Sequence, residues 1–182
     1  MKLVILDRDG VINEESPEFI RSPQAFRPIP GSLEAIARFT QAGVHVAIAT
    51  NQSGLARGYF DVDTLNRIHA LMCSRAAAVG GHIDLIAFCP HGPDAHCPCR
   101  KPAPGLLESV TARFAVALGT VPFIGDSLRD LQAAERAGTR PILVRTGNGA
   151  ATARSLPSSL ANVSVFPDLR SAADNLLARE RG

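Results

Sequence analysis

Two aspartates stand two positions apart in Asp7-Arg8-Asp9-Gly10. Carboxylates so close repel each other, and a bound divalent cation relieves the repulsion. Hard oxygen donors suit Mg²⁺, which keeps several waters and takes one or two protein carboxylates plus phosphate. Three further stretches follow in order: Thr50-Asn51-Gln52-Ser53-Gly54, Arg100-Lys101-Pro102 and Gly125-Asp126-Ser127. Together they supply the parts of a phosphate-transfer site. One aspartate of the pair can attack phosphorus and form an aspartyl-phosphate, splitting one hard step into two easier ones. The other can protonate the leaving oxygen and then activate water. The Thr50 hydroxyl, Lys101 and nearby backbone N–H groups would stabilise the charged transition state. Asp126 would complete the Mg²⁺ ligand set, with Asp130 as a buttress. Any one stretch alone is ordinary: a turn, a strand-end threonine, a surface lysine or a helix cap. The four in order, each beside an expected strand end or helix start, carry the reading.

A second cluster lies in Cys89-Pro90-His91 and Cys97-Pro98-Cys99. Three sulfurs and one imidazole are a normal set for tetrahedral structural Zn²⁺. His96 competes as ligand by composition. His91 is preferred, because two ligands then come from each arm of a hairpin-like loop. Such a closed site has no open position for chemistry. It would instead shape a loop that runs straight into Arg100 and Lys101, presetting two cations that must meet phosphate. Cys73 stands apart and reads as a small hydrophobe on a helix.

These residues need elements to hold them. Apolar, Val- and Ile-rich runs at Lys2–Asp7, Val44–Thr50, Ile83–Cys89, Val121–Gly125, Pro141–Arg145 and Val163–Phe166 read as strands buried on both faces. Helix-period segments separate most of them: Ser32–Gln41, Asp61–Val79, Gly105–Leu118, Ser127–Ala137 and Asp168–Arg179. Asp61 or Asp63 is a candidate cap, Pro104 suits a first turn and Gly138 a C-terminal glycine. The alternation implies an α/β fold: a three-layer, doubly wound parallel sheet with helices on both faces. Chemistry at strand ends matches where open α/β sheets bind ligands. The irregular Asn13–Pro30 segment reads as a flap over the site, and Ala150–Ser159 as a small, polar, mobile stretch. His45 reads as a core histidine, and His69 and His82 as ordinary helix and turn residues. Tyr59 and Arg57 are candidates for the pocket entrance.

The 182 residues suit one domain, expected to span 1–182, and a hydrophobic content of 46% is enough for a real core. The formal net charge is +2 with scattered basic residues, so a nucleic-acid partner is not indicated. Apolar runs are strand-sized, far short of the roughly 18 residues that suggest a membrane span. A strand at the very start leaves no room for a signal peptide. The expectation is a soluble, cytoplasmic monomer acting on a small molecule.

The four motifs resemble the haloacid dehalogenase superfamily of Mg²⁺-dependent phosphatases over nearly the whole chain. The resemblance implies Asp7 as nucleophile, Asp9 as acid/base, Thr50 and Lys101 as phosphate holders and Asp126 as metal carboxylate. It also implies that Asp9 meets Mg²⁺ through its backbone carbonyl, leaving its side chain free for proton transfer. No long insertion follows Gly10 or Thr50, so a separate cap domain is not expected and loops must sort substrates. The stretches Asp7-Arg8-Asp9-Gly10-Val11-Ile12-Asn13, Asn51-Gln52-Ser53-Gly54-Leu55-Ala56-Arg57-Gly58 and Cys97-Pro98-Cys99-Arg100-Lys101-Pro102 more closely resemble its heptose-bisphosphate phosphatase family. That likeness implies a phosphosugar substrate touched by Thr50, Asn51, Gln52, Ser53, Arg100 and Lys101. Glu15-Ser16-Pro17-Glu18 occupies the substrate flap where many members carry Asp-x-Gly-Tyr, and Ser127 stands where many carry lysine. Histidinol-phosphate phosphatases share the core and the zinc loop but usually read Asn-Gln-Asp-Gly in the second motif. Ser53 therefore favours heptose. Outside enzymes, the alternatives are a phospho-acceptor module or a zinc-stabilised binding domain.

Overall fold

A computed structural model describes residues 1–180. Residues 181 and 182, the end of the expected domain, lie outside the described residues. Six parallel strands form one sheet: β1 (Leu3–Leu6), β2 (His45–Asn51), β3 (Leu85–Cys89), β4 (Pro122–Gly125), β5 (Arg140–Val144) and β6 (Ser164–Phe166). Their spatial order is β3-β2-β1-β4-β5-β6. The winding reverses at the β1–β4 boundary, where Ile5 and Leu6 pair with Phe123 and Ile124. That boundary is the crevice in which doubly wound sheets place ligands.

The side-chain period of two splits β1 between two cores. Val4 and Leu6 join Val46, Ile48 and the apolar faces of helices α1 (Ser32–Gln41), α2 (Val62–Ala78) and α6 (Leu169–Arg179). Leu3 and Ile5 point the other way, onto Ala47, Ala49, Phe123 and helices α3 (Gly105–Phe114) and α4 (Leu128–Ala137). All four β1 side chains are buried, each contributing about 1.5–3 kcal/mol of transfer free energy.

The helix starts are chemically specified. Asp61 accepts from the Thr64 N–H at 2.7 Å, which selects it over Asp63 as the cap of α2. Asp168 accepts from the Ser171 N–H at 2.7 Å at the start of α6. Gly138 ends α4 with φ +71°, in the left-handed region that glycine enters without a Cβ penalty.

Three expectations are corrected. Helix α3 stops at Phe114 and not Leu118, because Ala115 turns left-handed at φ +50°. The Ala150–Ser159 stretch holds a short helix, α5 (Gly149–Arg154), and a 3-10 turn at Ser158–Leu160; small residues let it pack against β5 without a strong apolar stripe. His45 is exposed and not in the core. It is the first residue of β2, outside the buried run, and its Nδ1 lies 2.8 Å from Asp84. The Asn13–Pro30 flap is irregular as expected but pinned down. Glu14 N–H donates to Arg27 O at 2.8 Å, Ile29 N–H to Ile12 O at 2.9 Å, and Ile20 and Phe26 are buried. Among the described residues, no helix is long and apolar enough to cross a membrane.

Candidate active site

The end of β1 is locked to the switch point. Asp7 N–H donates to Ile124 O at 2.9 Å, and the chain then turns sharply, with the Ile12 N–H reaching Arg8 O at 2.8 Å. Gly10 has φ +78°, and a Cβ there would lie 2.1 Å from Asp126 Oδ2. Only glycine lets the first motif approach the fourth so closely. The turn brings Asp7, at the end of β1, beside Asp126, just past β4.

Lys101 is the centre of charge. Its Nζ lies 2.9 Å from Asp7 Oδ1 and 2.7 Å from Asp130 Oδ1, and it donates to Ala49 O at 2.9 Å. All three ammonium protons are therefore committed. The side chain is only 2% exposed, so the carboxylates are what keep it charged. Burial pulls its pKa down, but Asp130 and Asp7 more than offset this and raise it. Asn51 fixes the lysine's backbone: its Oδ1 accepts from Lys101 N–H and its Nδ2 donates to Lys101 O, both at 3.1 Å.

Oxygens of Asp7, Asp126 and Asp130 all lie within 4.8 Å of one another. Burial, opposed by Lys101 and reinforced by Asp130 and Asp9, pushes the Asp7 carboxyl up to about 7. Burial and the charges of Asp7 and Asp130 push Asp126 up to about 8. Asp130 goes the other way. Burial raises it, but Lys101 and the Ser127 hydrogen bonds outweigh burial and hold it below the usual range. Two carboxyls that resist ionising together, both hard donors, fit a divalent cation. Asp126 is steadied by the Asn148 N–H, which donates to its Oδ2 at 2.8 Å, and by Thr152 Oγ1, which donates to its backbone O at 3.0 Å.

Asp9 sits in a separate web. Arg8 Nη2 donates to both its oxygens at 2.9 Å, Asn13 Nδ2 to Oδ1 at 2.9 Å and Gln52 Nε2 to Oδ2 at 3.0 Å. Burial raises its pKa, yet Arg8, Asn13 and Gln52 together hold it below the ordinary carboxylate value. Gln52 Nε2 also donates to Thr50 Oγ1 at 2.9 Å, which links the second motif to the first. His69 of α2 closes the web from behind, its Nε2 3.4 Å from Arg8 Nη1. Burial first, then the Arg8 charge, lowers that imidazole to about 4.

Above this floor is a cavity of about 320 Å³ lined by Arg8, Asp9, Glu15, Ser16, Pro17, Phe19, Ile20, Gln52, Ser53, Arg57, Arg100 and Arg129. Burial and the neighbouring Arg129 charge lower the Arg100 pKa. Beside the cavity, the Cys89, His91, Cys97 and Cys99 ligand atoms converge. Cys99 Sγ lies 3.3 Å from Cys89 Sγ, 3.5 Å from Cys97 Sγ and 3.3 Å from His91 Nδ1. Tetrahedral sulfur ligands about 2.3 Å from a metal stand at nearly these separations. The chemistry of the four donors thus fits a thiophilic ion. His91, and not His96, belongs to the set.

Residues 98–172 match the HAD-hydrolase-like family model. A curated relative from Bordetella bronchiseptica, named D-glycero-beta-D-manno-heptose-1,7-bisphosphate 7-phosphatase, is 54% identical over 97% of this chain and 98% of its own. The chain belongs to that phosphatase family. The Pseudomonas aeruginosa member of the heptose-bisphosphate phosphatases is 48% identical over 96% of this chain and 97% of its own. A crystal structure of the D,D-heptose 1,7-bisphosphate phosphatase from B. bronchiseptica, complexed with magnesium and phosphate, superposes with a TM-score of 0.94. It is 54% identical and covers 98% of this chain and 99% of its own. The parallel six-stranded architecture is that of the heptose-bisphosphate phosphatases.

Of the residues singled out by sequence, the fold brings Asp7, Asp9, Thr50, Gln52, Lys101 and Asp126 to one crevice, with Ser53, Arg100, Glu15, Ser16 and Pro17 around the cavity. Asn51 spends its side chain on the Lys101 backbone. Glu18 is exposed and does not line the cavity. Sequence reasoning gave no role to Arg8, His69, Arg129 or Asn148. Arg8 was visible inside the first motif. Asn148 follows the end of β5, the same kind of strand end that marked the other residues.

Proposed function

We propose that the chain removes the 7-phosphate of D-glycero-β-D-manno-heptose 1,7-bisphosphate through an aspartyl-phosphate on Asp7. The observation that carries the reading is Lys101 Nζ bridging Asp7 and Asp130 at 2.9 and 2.7 Å beside an arginine-lined cavity. Near-complete coverage at 54% identity to a relative of that name supports it.

Asp7, Asp126 and the Asp9 backbone carbonyl would hold Mg²⁺, with Asp130 behind them. When bound, the ion supplies positive charge against the phosphoryl oxygens. Lys101 favours the ionised form of Asp7 against burial and would turn one proton from its resting partners to a phosphoryl oxygen, and Thr50 offers its hydroxyl to another. The Asp7 carboxylate attacks phosphorus, the bond from phosphorus to the sugar oxygen breaks, and Asp9 donates a proton to that oxygen. Arg8 keeps Asp9 ionised in the free protein; the arriving phosphate dianion raises its proton affinity and loads it. Water then attacks the phosphoryl group, gives its proton to Asp9, and the bond to Asp7 breaks. Cys89, His91, Cys97 and Cys99 would hold structural Zn²⁺. A monomeric, cytoplasmic enzyme of one domain, without a separate cap, completes the reading.

Turnover of heptose 1,7-bisphosphate and of histidinol phosphate, each with Mg²⁺, tests the substrate. A higher kcat/KM for the heptose compound is expected; preference for histidinol phosphate would overturn the assignment.

A further inference from the structure

We propose, resting on the function above, that His69 is a positioning residue for the proton transfers. It fixes the Arg8 guanidinium, and Arg8 in turn sets the angle from which Asp9 exchanges a proton with the leaving oxygen and with water. His69 acts only through Arg8.

Arg8 is 1% exposed. Its Nε meets Asp9 Oδ1 at 3.1 Å, and its Nη2 meets both Asp9 oxygens at 2.9 Å and Gln52 Oε1 at 3.1 Å. On the other side, Nη1 lies 3.4 Å from His69 Nε2. A guanidinium carries N–H donors, no acceptor, and stays protonated. The contact with His69 therefore has one polarity: the imidazole is neutral, keeps its proton on Nδ1 and accepts at Nε2. Asp9 and Gln52 pull on one edge of the guanidinium. His69 holds the opposite edge, and with it the plane in which both Asp9 oxygens are met. A reacting group is held this closely only when its supports are themselves fixed.

Packing does not explain an imidazole at this position. The buried face of α2 is Leu65, Ile68, His69, Met72 and Ala76, a helical stripe in which every other member is apolar. An aliphatic side chain would serve the core as well, and a buried imidazole costs free energy unless its polar atoms find partners. His69 is buried all the same, and its ring lies 6.1 Å from that of Phe88. Phe88 stands opposite Thr50 in the register of β2 and β3. The ring is thus fixed by the sheet as well as by its own helix. A side chain that breaks the pattern of its element is expected at a functional position.

The first test is steady-state turnover of heptose 1,7-bisphosphate with Mg²⁺ in wild type, His69→Leu, His69→Gln and His69→Asn. Loss of one hydrogen bond to a charged group should lower kcat about tenfold in His69→Leu, with KM within about twofold. The Gln amide oxygen can take the place of Nε2 and accept, so His69→Gln should recover most of the loss. The shorter Asn does not reach, and His69→Asn should resemble His69→Leu. An unchanged kcat in His69→Leu, or equal kcat in His69→Gln and His69→Asn, overturns the role.

The second test is a double-mutant cycle read by single-turnover phosphate release. Asp9→Asn removes the proton that His69 serves, so adding His69→Leu should slow that variant by less than about twofold. A further loss of about tenfold would place the effect of His69 elsewhere and overturn the role. Matching thermal unfolding midpoints identify variants that fold, and His69→Asn takes the place of His69→Leu in the cycle if the latter does not. If wild type prefers histidinol phosphate, the substrate assignment fails, and the same cycle on histidinol phosphate still decides the role of His69.

Discussion

Asp9 is held by the Arg8 guanidinium on both oxygens and by Asn13 and Gln52 as well. Such a web orients a proton donor, but it also favours the ionised form. The donor must therefore be loaded by the substrate's own negative charge. Asp9→Asn keeps the shape and removes the proton, so kcat should fall by about 10²–10⁴-fold with the fold retained. Single-turnover phosphate release checks this, and an unchanged kcat would remove Asp9 from the role. At this scale the sequence carried the grouping of Asp7, Asp9, Thr50, Lys101 and Asp126 in one crevice, because residue type and strand-end position sufficed. It was not legible where the role comes from distant approach. Asn148 reaches Asp126 only because β5 lies beside β4. Asn51 looked like a substrate contact, but its neighbour across the crevice is the Lys101 backbone.

Among elements, the cysteine loop does the most positioning. It contributes little apolar burial of its own, with His91 exposed and Cys97 and Cys99 half-buried. A metal joining four ligands would replace the missing core energy. Two residues past Cys99, Lys101 is fully buried at the site floor. Cys97→Ser should lower bound zinc, measured by elemental analysis, and raise KM by loosening Arg100. Full zinc content in that variant would contradict the assignment. The strands and the five long helices were readable because burial on both sheet faces and helical periodicity leave plain patterns. Helix α5 escaped because six small or polar residues, Gly149–Arg154, present no apolar stripe. His45 escaped because strand membership does not say which end of a strand is solvated.

For the molecule as a whole, the cost of the site is electrostatic. Burial and mutual repulsion lift the Asp7 and Asp126 carboxyls to about 7 and 8, so the metal-free fold carries a cluster that resists ionising. A ligand that binds only the folded form stabilises it in proportion to occupancy. Raising Mg²⁺ to about 100 times its Kd should add about 2.7 kcal/mol, seen as an upward shift in the thermal unfolding midpoint. The same addition to Asp126→Asn should shift it less, and an equal shift would place the ion elsewhere. The doubly wound parallel sheet was legible in the β-α-β alternation, and the strand order was not. The arginine-lined cavity was not, because Arg57, Arg100 and Arg129 come from three separate segments that only the folded chain brings together.

Covalent catalysis by the first aspartate is the claim on which the rest stands. Acid-quenching the enzyme during turnover of heptose 1,7-bisphosphate with Mg²⁺, then reducing with borohydride, converts an acyl-phosphate to homoserine that peptide mass spectrometry can locate. Homoserine is expected at position 7, and none in Asp7→Asn. Homoserine at position 9 or 126, or none in an enzyme shown to be turning over, would contradict it.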